Sequence, residues 1–130
     1  MGNSICDASI ELNLPADRAL MLVVRLTTAG VIARAGVTID RMDEIKMAVE
    51  EACGCLMEQI NPPGRIELRF QVQKGQLMIR ATALDAENRT GDVDDAALEV
   101  MGCILDALVD RADFEVRDGF ISAVELRAAL

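Results

Sequence analysis

Residues 65–84, RIELRFQVQKGQLMIRATAL, alternate apolar and polar side chains through their first half. Ile66, Leu68, Phe70 and Val72 fall on one side of an extended chain, and Glu67, Arg69, Gln71 and Gln73 on the other. Side chains in a strand repeat every second residue, so the pattern predicts a strand with one apolar and one wet face. Lys74-Gly75 fits a tight hairpin turn into a second strand, because glycine accepts the positive φ such turns require. An antiparallel hairpin of this kind needs cover on its apolar face only, and helices are the natural cover.

On the N-terminal side, NPPG at 61–64 stops whatever precedes it, since two prolines cannot continue a helix. Before it, residues 38–60 place Ile45, Val49, Ala52, Leu56 and Ile60 three to four apart, which predicts a helix with one buried stripe. Residues 17–35 hold helical spacing too, with Gly36 as the stop. That helix is apolar over most of its circumference, with Arg18, Arg25 and Arg34 as its basic positions. Such a helix lies between two surfaces, within one chain or across a dimer. SIELNLP at 9–15 alternates and reads as a half-buried strand closed by Pro15.

On the C-terminal side, the polar stretch 85–95 leads to a third helix, AALEVMGCILDALVD, at 96–110. ADFEVR and FISAVELRA then flank Asp118-Gly119, a strong hairpin signal. The expected order is β-α-α-β-β-α-β-β over a single domain, 1–130. The expected fold class is an α+β two-layer sandwich: a mixed, mostly antiparallel five-stranded sheet with three helices on one face. The apolar first helix and the open edge of strand 9–14 together predict a homodimer.

Composition narrows the chemistry. The chain has no His, Trp or Tyr, so His-based catalysis and most catalytic zinc sites are excluded. Thirteen Lys plus Arg against 22 Asp plus Glu give −9, which argues against direct nucleic-acid binding and favours a basic protein partner. No basic-then-apolar leader and no long uncharged apolar run is present, so a cytoplasmic location and no membrane span are expected. MGNSIC comes near a myristoylation signal but has Cys6 where Ser or Thr is needed. In the cytosol Cys6, Cys53, Cys55 and Cys103 are expected as free thiols.

Cys53 and Cys55 sit in MAVEEACGCLMEQI, residues 47–60. Each helical residue turns about 100°, so these two point about 200° apart and cannot clamp one ion. No metal site is expected. Glu51 and Cys55, at i and i+4, share a face beside the buried stripe, which Met47 and Glu58 extend. Glu51 reads either as part of a site there or as a solvated helix glutamate.

Residues 14–57, LPADRALMLVVRLTTAGVIARAGVTIDRMDEIKMAVEEACGCLM, resemble the first half of the bacterial anti-sigma-factor serine kinases, of the histidine-kinase-like ATPase fold. Those proteins carry an Arg in a vvRlt-like context and a box of the form E-A-C-T-N-A, here Glu51-Ala52-Cys53-Gly54-Cys55-Leu56. Residues 104–126, ILDALVDRADFEVRDGFISAVEL, are similar to their closing helix and hairpin. The resemblance implies transfer of the ATP γ-phosphoryl group to a serine of an antagonist protein. It implies Glu51 as general base, Cys55 at the Mg²⁺-binding Asn position, Asp85 at the adenine-reading position and Arg25 as a partner contact. The sequence departs from the pattern: a thiol is a poor Mg²⁺ ligand, Glu87 and Arg89 replace the first glycines, and Glu99 and Met101 the second pair.

The expectation is therefore a regulatory protein-binding domain, a degenerate family member with lost or weakened ATP binding and no cofactor. It would capture a sigma factor or an antagonist-like partner. One alternative is an active ATP-dependent serine/threonine kinase using ATP and Mg²⁺ in an atypical site. Another is a thiol-based regulator acting through Cys55.

Overall fold

The computed structural model describes residues 9–130. Cys6 and the MGNSIC segment lie outside the described residues. The strands are β1 (Ser9–Pro15), β2 (Arg65–Gln73), β3 (Gln76–Leu84), β4 (Arg111–Arg117) and β5 (Phe120–Ala129). The helices are α1 (Met21–Ile32), α2 (Ile39–Met57) and α3 (Asp95–Asp106). Strand order in the sheet is β1-β2-β3-β5-β4, and every neighbouring pair is antiparallel where the sequence reading allowed a mixed sheet.

The alternation in 65–84 sets the register. Ile66, Leu68, Phe70, Leu77 and Ile79 are all buried, and they pack in one cluster with Ile45, Val49, Ala52 and Leu56 of α2. Each Ile, Leu, Val or Phe among them contributes about 1.5–3 kcal/mol by leaving water. On the opposite, wet face the direct cross-strand partners Arg69 and Glu11 pair at 3.1 Å. Arg80 of β3 likewise reaches Glu115 of β4 at 2.7 Å. The hydrogen bond from Arg80 holds the Glu115 carboxyl below its ordinary range.

Three boundaries differ from expectation. The first helical segment divides into a 3₁₀ turn at Arg18–Leu20, α1, and a second 3₁₀ turn at Ala33–Ala35 that ends at Gly36 with φ +70°. Asp17 caps the first turn by accepting from the Ala19 amide at 2.9 Å. Residues 38–60 leave the helix after Met57, so Ile60 is 67 % exposed and does not belong to the buried stripe. Pro62 and Pro63 follow too closely, and a residue before proline is driven out of the helical region. α3 stops at Asp106, short of 110, because the Leu108 and Val109 amides both turn back onto the Leu105 carbonyl, after which the Asp110 amide joins the Arg127 carbonyl.

Within the β4–β5 pair the register slips between Glu115 and Val116, leaving Ser122 without a strand partner. Its hydroxyl donates to the Glu115 carbonyl at 3.2 Å. Arg41 of α2 fastens the other end of the molecule, donating to the Leu108 carbonyl at 3.0 Å and the Ala129 carbonyl at 3.2 Å.

Candidate functional site

α2 and α3 form two walls of a cavity of about 420 Å³, and residues 92–94 close it. Glu51, Gly54 and Cys55 line it from α2 and Glu58 from the residue that caps that helix, at the spacing that puts residues on one helix face; Ala97 and Met101 line it from α3. Glu51 and Cys55 are thus brought together. Cys55 is only 7 % exposed, and burial first, then the Glu51 and Glu58 carboxylates, push its thiol up to about 12. Cys53 lies in the core, and burial first, then Glu50 and Cys55, push it up to about 12 as well. Both are neutral thiols at physiological pH. Among the described residues no three Cys, Asp or Glu side chains are grouped to hold a metal ion.

Glu51, Glu58, Asp92 and Asp94 put four carboxylates on the cavity wall, with no Lys or Arg lining it. Arg18 ion-pairs with Glu58 from the adjoining shallow surface, whose lining it shares with Met47 and Glu50. Cys55 is a soft donor where a hard oxygen ligand would suit Mg²⁺, and the carboxylates carry charge of the same sign as a phosphate group.

Asp85 stands apart. It lines a second cavity of about 530 Å³ with Glu87, Arg89 and Arg117, on which neither Glu51 nor Cys55 borders. Its backbone is left-handed at φ +54°, and its own carbonyl accepts from Arg89 at 3.1 Å. Arg25 lies outside both cavities on α1, paired with Glu50 at 2.8 Å and half exposed. Leu22, Val23 and Leu26 around it are exposed as well.

The loop between β3 and α3 is tied down. The Gly91 amide donates to the Asp118 carbonyl and the Val93 amide to the Gly119 carbonyl, each at 3.0 Å. The two glycines approach so closely that a Cβ on Gly91 would meet the Gly119 oxygen at 2.4 Å. Gln59, just past α2, reads both backbone groups of Ile121 in β5, accepting at 2.7 Å and donating at 2.9 Å.

Sequence reasoning does not single out Asp92, Asp94, Gln59 or the glycine crossing. Asp94 has a local signal: it precedes the apolar run of α3 and caps it, accepting from the Ala97 amide at 2.8 Å. Gln59 and the glycine crossing have none, because their partners lie far along the chain.

The fold defines the class: an α+β two-layer domain of the histidine-kinase-like ATPase fold. The crystal structure of the RsbU and RsbW domains of Rv1364c from Mycobacterium tuberculosis matches it with a TM-score of 0.72, over 95 % of this chain and 32 % of that one, at 16 % identity. Relatives in sequence include serine-protein kinases named RsbW. The protein from Bacillus velezensis is 34 % identical over 73 residues, and that from Halalkalibacterium halodurans 35 % over 75 residues. These matches span 54 % and 57 % of this chain, and the chain spans about half the length of the relatives, 46 % in both cases. No protein-family model matches the chain. The resemblance to serine kinases read from the residues is upheld by the sequence relatives, and the structural match upholds the fold.

Proposed function

We propose that this chain is a regulatory protein-binding domain of the anti-sigma-factor kinase type, which captures a sigma factor or an antagonist-like protein without turning over nucleotide. The observation that carries the reading is the cavity between α2 and α3: four carboxylates and a neutral, buried thiol line it, with no cation among them. Arg25, half exposed among Leu22, Val23 and Leu26, is the proposed partner contact. The same exposed apolar face, with the β1 edge, is the proposed homodimer surface. No helix among the described residues is long and apolar enough to cross a membrane, and a cytoplasmic location is part of the proposal.

The test is calorimetric titration with ATP and ADP, with and without Mg²⁺, because the chain has no Trp or Tyr to report binding. No heat up to millimolar nucleotide is the expected result. Micromolar, Mg²⁺-dependent binding overturns it and favours the second reading, an active serine kinase, which the presence of Glu51 in the cavity supports. Loss of phosphoryl transfer in Glu51→Ala would then identify the general base. A regulator acting through Cys55 is disfavoured by a thiol that stays protonated until about 12.

A further inference from the structure

We propose that the outer face of α3 is a docking surface for a basic amphipathic helix of the partner protein. The proposal deepens the protein-capture reading above and rests on it. α3 buries only Leu105 fully, yet its far side is also apolar: Val100 is 61 % exposed, Ile104 43 %, and Cys103 is an exposed free thiol. At about 100° per residue these three fall on one stripe, which the exposed Ala96 and Ala107 extend at both ends. A stripe of this shape is what an apolar helix face packs against.

The rim decides the occupant. Asp95, Glu99 and Asp106 run along one side of the stripe and pair with no cation among the described residues. Ala97 and Met101 bound the other side, and beyond them lies the carboxylate-lined cavity of Glu51, Glu58, Asp92 and Asp94. Residues 90–110 hold six carboxylates and no Lys or Arg, so this segment supplies −6 of the chain's −9. A helix with Lys or Arg on both flanks of its apolar face complements that field. A second copy docked symmetrically would set like rims against each other, and a phosphate backbone would be repelled. The surface is distinct from the one around Arg25 on α1, whose charged residue is basic.

The test uses the full chain carrying Cys6→Ser and a synthetic leucine–lysine helix of roughly 18 residues, apolar on one face with lysine flanks. Cys103 reports occupancy, because Cys53 and Cys55 are buried. Saturating peptide is expected to slow iodoacetamide alkylation of Cys103 by about tenfold, and a leucine–glutamate peptide to leave it unchanged. Glu99→Lys with Asp106→Lys is expected to weaken peptide binding about tenfold with far-UV circular dichroism unaltered. Binding without protection of Cys103, or binding lost on Leu26→Glu in α1 instead, overturns the proposal. So does protection of Cys103 that grows with protein concentration alone, which would make a second copy the occupant. Nucleotide binding in the calorimetric test overturns the capture reading and leaves the peptide result standing.

Discussion

Cys53 and Cys55, on either side of Gly54, reach similar protonation by burial in different places, one in the core and one on a cavity wall. Spacing alone separates their directions by about 200°, and that much is legible in the sequence. What spacing cannot supply is that Cys55, on the wall of the cavity it shares with α3 and residues 92–94, is buried as well. Both thiols are raised from 9.0 to about 12. In the folded protein at pH 8, iodoacetamide is therefore expected to label Cys103 and spare Cys53 and Cys55 until denaturant exposes them; peptide mass mapping reads the order. The raised values also fix a sign. The folded state holds these protons more tightly than the unfolded chain, so their contribution to stability is complete below pH 9 and is lost as pH climbs from about 9 towards about 12. Chemical denaturation midpoints across that window should fall. Replacing both residues by Ala should flatten the decline, although the core cavities lower the midpoint at every pH.

At the level of elements, hairpin turns are the easiest features to read and the ties between elements the hardest. Lys74-Gly75 and Asp118-Gly119 announce themselves because the chain reverses within a few residues; both positions of each pair have positive φ in the structure. The end of α2 at Met57 is hard to place because apolar spacing continues to Ile60 after Pro62 and Pro63 have already ended the helix. Gln59 escapes recognition, since its two bonds to Ile121 join residues distant in sequence. Gln59→Leu leaves an amide and a carbonyl of β5 unsatisfied and is expected to cost about 1–3 kcal/mol in urea denaturation. Gly119→Ala meets two obstacles, a φ of +75° and the Gly91 oxygen 2.3 Å from the new Cβ. A loss of roughly 2–5 kcal/mol follows, and Gly75→Ala, with a similar φ but nothing near its Cβ, should lose less.

Over the whole molecule the sequence discloses the order of elements and the apolar side of the sheet, because both depend on local period. It does not disclose that the candidate residues divide between two cavities, Glu51 and Cys55 in one and Asp85 in the other. That division depends on how the loop after β3 settles, which no periodicity records. Charge acts on the same scale. With −9 overall, association with a basic partner should slow by about tenfold or more between 20 mM and 500 mM salt while dissociation changes little, as stopped-flow mixing would measure. Leu26→Glu on the exposed face of α1 should move a dimer towards monomer in sedimentation. The crossing of Gly91 and Gly119 has a consequence in time as well as in shape. Its two amides, on Gly91 and Val93, belong to a loop by sequence yet are held by the tip of a β-hairpin. In deuterated solvent they should exchange at the pace of the sheet margin rather than of a surface loop, making them a clock for every opening of the wall between α3 and the hairpin.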